Sequence, residues 1–173
     1  HGGPAANHAC YSPTSIGIYN NAGIKRLYVA NNDHDNIKYF DISDNDPANW
    51  TGYLLICDKN GAGACVAGNT NGNIGNDSAA RVNNPWGLHV DANGLVHWTE
   101  QGGGCRIGVA NPTATTYSFY NGSINLAPNK AYRVGGSGNC DTYAVGSSNR
   151  LWSAQRIKSP YGVLPYYNGT TYY

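Results

Sequence analysis

Charge is the first thing this sequence lacks. Only 12% of its 173 residues are Asp, Glu, Lys or Arg, and the formal net charge is +1; the usual charged share is about twice that. A chain so balanced has no basic field with which to hold a phosphate backbone, so nucleic acid is not an expected partner. Long apolar runs are missing too: no stretch reaches the roughly 18 apolar residues of a spanning helix, and membrane insertion is not expected. Phenylalanine occurs twice, glutamate once and methionine never. With Glu100 as its single glutamate, a paired-carboxylate glycosidase would have to rely on aspartates. No two cysteines form a C-x-x-C pair, which removes zinc-ribbon and thioredoxin-type motifs. No apolar stripe of period 3.6 continues past two turns, so helices do not organise this chain.

Glycine and asparagine fill the space instead, 23 of each, beside 14 Tyr and 4 Trp. The first pair breaks helices and turns hairpins; the aromatics supply a core and argue against disorder. The recurring unit is a β-branched or aromatic run, a turn of Asn, Asp, Gly or Ser, and a second run. Ile16–Tyr19 and Leu27–Ala30 flank the first turn, and Tyr53–Cys57 and Ala64–Ala67 the second. Leu88–Asp91 and Leu95–Glu100 flank the third, Tyr143–Val145 and Leu151–Ala154 the fourth, and Tyr161–Tyr173 folds about Asn168-Gly169. Residues 69–76 and 135–139, nearly pure Gly, Asn and Ser, read as long exposed loops. The expectation is one all-β domain over residues 1–173, built from hairpins.

The third unit carries a register. If Ala92-Asn93-Gly94 is a three-residue loop with Gly94 left-handed, Val90 faces Val96 and Leu88 faces Trp98, four apolar side chains on one face. A two-residue Asn-Gly turn would mix the faces, so patterning selects the first register. It also sets His89 opposite His97 on the other face. Two such imidazoles can share Zn²⁺ or Cu²⁺, or simply stand in solvent.

Five cysteines and the missing initiator methionine point to a processed chain in an oxidising, extracellular compartment. Five choices of odd cysteine times three pairings of the rest give 15 arrangements. The expected one is Cys57–Cys65, across the second turn, and Cys105–Cys140, with Cys10 free or bonded to another chain. Sequons at Asn49, Asn76, Asn121 and Asn168 are candidate glycosylation sites of a secreted protein.

The stretch Asn84-Pro-Trp-Gly-Leu-His-Val-Asp-Ala-Asn-Gly-Leu-Val-His-Trp-Thr-Glu100, continuing to Arg106-Ile-Gly108, resembles the repeats of NHL-type and virginiamycin-B-lyase-like β-propellers. Segments Pro13–Asn32 and Leu55–Gly61 are weaker copies. The resemblance covers three pieces and implies a small propeller-like domain. The units are unevenly spaced, and 173 residues hold about four blades of roughly 40 to 45 residues. A β-sandwich of hairpins is the alternative. Glu100 stands in a Trp-Thr-Glu context similar to the lyases, without their partner histidine motif.

Three functions fit these residues. Sugar rings stack on aromatic faces while amides and carboxylates bond their hydroxyls, so Trp86, Trp98, Trp152 and Tyr161 are candidate ligand-binding aromatics of a carbohydrate-binding module. A terminal strand ending Tyr172-Tyr173 is expected to pair, within its own sheet or with a neighbour, which suits a self-assembling fibre or surface-layer subunit. Finally, His1 with its α-amine resembles the histidine brace of lytic polysaccharide monooxygenases, which implies copper and a second ligand among His8, His34, His89 and His97. Asp33, Asp35, Asp41, Asp44 and Asp46 resemble part of a calcium loop but lack its glycine and its closing glutamate; ordinary turn capping is the other reading. Gly102-Gly-Gly104 has no following helix or lysine and is no phosphate loop. Carbohydrate binding is the leading expectation and catalysis is not.

Overall fold

The computed structural model describes residues 2–59, 64–68, 70–75, 78–101, 105–119, 124–136, 140 and 160–172. The strands are β1 (Gly3–Pro4), β2 (Pro13–Asn21), β3 (Ile24–Asn31), β4 (Asn36–Asp41), β5 (Thr51–Ile56), β6 (Gly72–Asn73) and β7 (Pro85–Val90). They continue with β8 (Val96–Glu100), β9 (Arg106–Asn111), β10 (Tyr117–Phe119), β11 (Ile124–Leu126), β12 (Lys130–Gly135) and β13 (Thr171–Tyr172). Among the described residues the only helical pieces are three single 3₁₀ turns. The protein is all-β and contains two disulfides.

Three sheets form, in the orders β1-β5-β4-β3-β2, β6-β12-β9-β8-β7 and β11-β10-β13, and none closes into a barrel. Tyr28, Ala30, Ile37 and Leu55 project from the first sheet onto Leu88, Val96, Trp98, Ala110 and Ala131 of the second. The opposite face of the second sheet, with Leu95, Val109 and Val134, meets Phe119, Leu126 and Tyr172 of the third. The second sheet is therefore covered on both sides. That is why β8 is buried along its whole length and carries apolar or internally bonded residues at every position.

The third hairpin has the register read from patterning: Val90 pairs with Val96, Leu88 with Trp98 and His89 with His97, and Gly94 sits at φ +83°. The first hairpin is tighter than expected, with strands running to Asn21 and from Ile24, so that Ala22 and Gly23 alone make the turn. The second unit differs. After Cys57 the return among the described residues is an isolated bridge between Lys59 and Cys65, and β5 spends its edges on β4 and β1. Small residues at 64 and 67 offer a return strand little to bury, so the disulfide, with a Cα separation of 5.0 Å, holds this turn. Within residues 69–76, expected as loop, Gly72 and Asn73 pair with β12 as a two-residue edge strand. The fourth hairpin lies outside the described residues. At the C-terminal end Thr171 and Tyr172 pair in parallel with β10, inside the protein's own sheet.

Candidate functional site

The imidazole pair is the first site the register builds. Its ring centroids lie 6.4 Å apart, but the two histidines differ in surroundings. His97 is 1% exposed beneath Tyr172, and its Nε2 lies 3.0 Å from Asp91 Oδ2. The expectation of two solvated rings fails for His97, because the third sheet covers that face. Burial pushes the Asp91 carboxyl up, but hydrogen bonds from His97, Tyr172 and the Leu95 N–H outweigh it and leave the group below its ordinary value. His89 is lowered by burial and by its neighbour His97. Among the described residues no three His, Cys, Asp or Glu side chains come together as a metal site. His1 lies outside the described residues.

The calcium-loop aspartates serve their own turns. Asp41, Asp44 and Asp46 accept from the N–H groups of Ser43, Asp46 and Ala48, and Asp35 accepts from Asn84 N–H at 2.8 Å. The bonds of Asp41, Asp44 and Asp46 are local caps of the kind short acidic side chains make in turns, whereas Asp35 ties its turn to the segment before β7 and Asp33 accepts from the Ser12 hydroxyl.

The aromatic candidates separate. Trp98 is 3% exposed and belongs to the core. Trp86 and Tyr161 meet edge-to-face at the surface, centroids 6.0 Å apart, with Tyr161 largely exposed. Trp152 lies outside the described residues, as do Asn76 and Asn121. Asn49 and Asn168 are both exposed.

A group of aromatics not singled out by sequence lines an organised cleft. Cross-strand pairing aligns Tyr28, Tyr39 and Tyr53 across β3, β4 and β5. Tyr39 and Tyr53 stack at 4.8 Å, and the Arg26 guanidinium lies 5.1 Å from the Tyr39 centroid. Arg26, Tyr39 and Tyr53, together with Pro112 and Asn129 from the second sheet's connections, wall an open cleft of ≈ 260 Å³, while Tyr28 is buried in the core behind them. Burial pushes the Tyr28 and Tyr39 phenols up, so both remain hydrogen-bond donors at neutral pH. A same-face Tyr ladder is readable only once strand registers are known, which is why period-2 patterning alone did not isolate it. A second open cleft, ≈ 290 Å³, lies between the N-terminal segment and the Cys57–Cys65 bridge, with His8, Tyr11, His34 and Lys38 in its wall. Burial and the Lys38 charge lower His8 there. No protein-family model matches the chain, and no curated protein matches it.

Proposed function

We propose that the protein is an extracellular carbohydrate-binding module that holds glycan in the cleft walled by Arg26, Tyr39, Tyr53 and Asn129. The cleft itself carries this reading. It combines aromatic surface for sugar C–H groups with guanidinium, phenol and amide groups for hydroxyls. Strands β3 to β5 supply one wall, so the contact groups stand on rigid elements; the second cleft leans on the N-terminal segment and is less fixed. The Trp86–Tyr161 pair offers a further surface for a longer chain of sugars. Two disulfides suit an oxidising compartment, and no described helix is long and apolar enough to cross a membrane.

The propeller-like architecture is part of the proposal. Strands β2–β5 form a four-stranded meander, β7–β9 form a three-stranded one to which β12 is added after β10 and β11, and the first strands, β2 and β7, lie side by side. Thr14 and Ser15 of β2 donate to the Pro85 and Leu88 carbonyls of β7. Neighbouring blades of a propeller place their inner strands side by side in this way.

Glycan-array binding in EDTA is the test. Tyr53→Ala and Asn129→Gly, the second chosen because position 129 has φ +55°, should each weaken retained glycans about tenfold. Loss confined to Trp86→Ala and Tyr161→Ala would move the site, and an array with no retained glycan would sink the reading. Association of copies is the second reading, favoured by Ile16 and Ile18, each 61% exposed on edge strand β2, in a chain whose net charge of +1 sets up little repulsion. Concentration-dependent oligomers on a sizing column that Ile18→Asn abolishes would support it. Stoichiometric copper in the same preparation would favour the enzyme reading instead.

A further inference from the structure

Along β4 side chains alternate: Ile37 and Tyr39 face the core, so Lys38 and Phe40 stand on the outer face of the first sheet. The second cleft lies there, with ≈ 290 Å³ of open space, room for several waters or for a small polar group and the carbon that carries it. His8, His34 and Lys38 reach it from three different elements. The N-terminal wall is tied down at several points. β1 pairs with β5, the Ala5 N–H donates to the Trp50 carbonyl at 2.8 Å, and the Asn32 N–H donates to the Ser12 carbonyl at 3.2 Å. Gly52 is required on β5: a Cβ would stand 2.6 Å from His8 Cγ, so only glycine lets the imidazole lie across the strand. There the ring meets Phe40 edge-on, centroids 6.3 Å apart. His34 closes the 3₁₀ turn Asn32–His34 and stacks on Tyr11 at 4.5 Å, while its carbonyl accepts from the buried Asn36 amide at 2.9 Å.

The charge of this cleft is one-sided. Lys38 donates to the Ala9 carbonyl and makes no ion pair among the described residues. An ammonium has three N–H groups, so two remain for a ligand. No Asp or Glu lines the cleft. The acids nearest in sequence are engaged elsewhere, Asp33 with the Ser12 hydroxyl, Asp35 with the Asn84 N–H and Asp58 with Arg81. Burial and the Lys38 charge lower His8, which therefore enters as a neutral N–H donor at neutral pH. An open cleft of this kind attracts an anion. Its wall contains no guanidinium, so the planar fork that matches a carboxylate is missing. Donors arriving from three elements suit the three free oxygens of a tetrahedral ester instead. A sulfate ester carries one negative charge, whereas a phosphate ester carries about 1.5 to 2 at neutral pH. Lys38 beside a neutral His8 balances the sulfate better.

We propose that this cleft binds the sulfate ester of a sulfated glycan, with Lys38 as its charge partner and His8 and His34 as N–H donors. The oxyanion site stands on the cleft alone, while the choice of a sugar as carrier rests on the carbohydrate-binding reading above. Tyr11, 56% exposed, and Leu54 offer apolar surface to the ring that carries the ester. Lys38 and Tyr39 point to opposite faces of the first sheet, so the sulfated sugar and the sugar beside Tyr39 and Tyr53 occupy separate sites.

Titration calorimetry of the full chain at neutral pH with galactose, galactose sulfate and galactose phosphate, both esters at the primary hydroxyl, tests the proposal. Galactose sulfate should bind about tenfold tighter than galactose, the scale of a hydrogen bond to a charged group, and tighter than the phosphate. Lys38→Gln should remove that advantage. His34→Gln, at an exposed position, should reduce it roughly threefold even if the Lys38 variant does not fold. Tyr53→Ala should leave it unchanged. Equal affinity for galactose and its sulfate overturns the site, as does unchanged sulfate affinity in either folded variant. Phosphate bound more tightly than sulfate overturns the choice of ester. Neutral glycans held through Tyr53 with no gain from sulfate would leave the carbohydrate reading standing and the oxyanion site refuted. Inorganic sulfate held through Lys38, with every arrayed glycan ignored, sulfated ones included, would do the reverse.

Discussion

Asn111, at the end of β9, is wholly buried and uses every polar group of its amide. Its Nδ2 donates to the Thr115 and Leu126 carbonyls at 2.7 and 2.8 Å, while Oδ1 accepts from the Thr113 N–H and hydroxyl at 3.0 and 2.7 Å. One side chain thereby ties the connection after β9 to β11 of the third sheet. Asn111→Ala strands two carbonyls, an N–H and a hydroxyl, of which those near residues 113–115 can regain water. The Leu126 carbonyl belongs to a wholly buried residue and cannot readily do so. At about 1–3 kcal/mol for each buried group left unmet, a loss of roughly 2–4 kcal/mol is expected. Urea unfolding measures it, and a change below about 1 kcal/mol would show that the network is dispensable. Asparagine abundance in this chain thus has two physical sources, turns at the surface and amide ties inside. Composition alone distinguishes neither, because both depend on what surrounds the amide.

Hairpins were the most legible elements, and their limits are instructive. The β7–β8 register followed from sequence because it sets Leu88, Val90, Val96 and Trp98 on one face, and a one-residue slip would split that apolar set between the two faces. What covers the opposite face was not legible: His97 lies under Tyr172, 75 positions away, through a parallel β10–β13 pairing that no local pattern encodes. The surroundings of the Glu100–Arg106 cross-strand pair were hidden for the same reason, since Arg81 and Arg133 reach it from other strands and loops. The first hairpin shows a local rule bent. Its two-residue turn puts Ala22 at φ +49° and Gly23 at φ +82°, the left-handed pair that normally takes Asn-Gly. Alanine in that region costs about 1–2 kcal/mol, and asparagine less. Ala22→Asn should therefore raise stability by roughly 0.5–1 kcal/mol. A thermal melt reads this as a gain of about 1–4 °C. An unchanged or lower melting temperature would mean that the turn relaxes to accept alanine.

At the scale of the whole molecule, scarcity of charge leaves few long-range ties. Among the described residues Arg81–Asp58 is the ion pair between Arg or Lys and a carboxylate, and the two apolar clusters do most of the joining. The disulfides add to that unequally. Cys57–Cys65 closes a separation of 8 residues beside an edge strand, whereas Cys105–Cys140 closes one of 35 that contains all of β9, β10, β11 and β12. The second bridge therefore restrains the entire passage from the second sheet to the third and back. Loop-closure entropy gives roughly 2.5 kcal/mol for the short loop and roughly 4 kcal/mol for the long one. In a protein of this size that separates the two by about 3–6 °C in melting temperature. Paired alanine variants, Cys57→Ala with Cys65→Ala and Cys105→Ala with Cys140→Ala, compare the two bridges with similar burial lost at Cys57 and Cys105, both at most 1% exposed. The second pair should melt lower, and the third sheet should lose amide protection before the first. Equal melting temperatures, or earlier exchange in the first sheet, would show that β13 and the Phe119–Leu126–Tyr172 cluster hold the third sheet without help from the bridge.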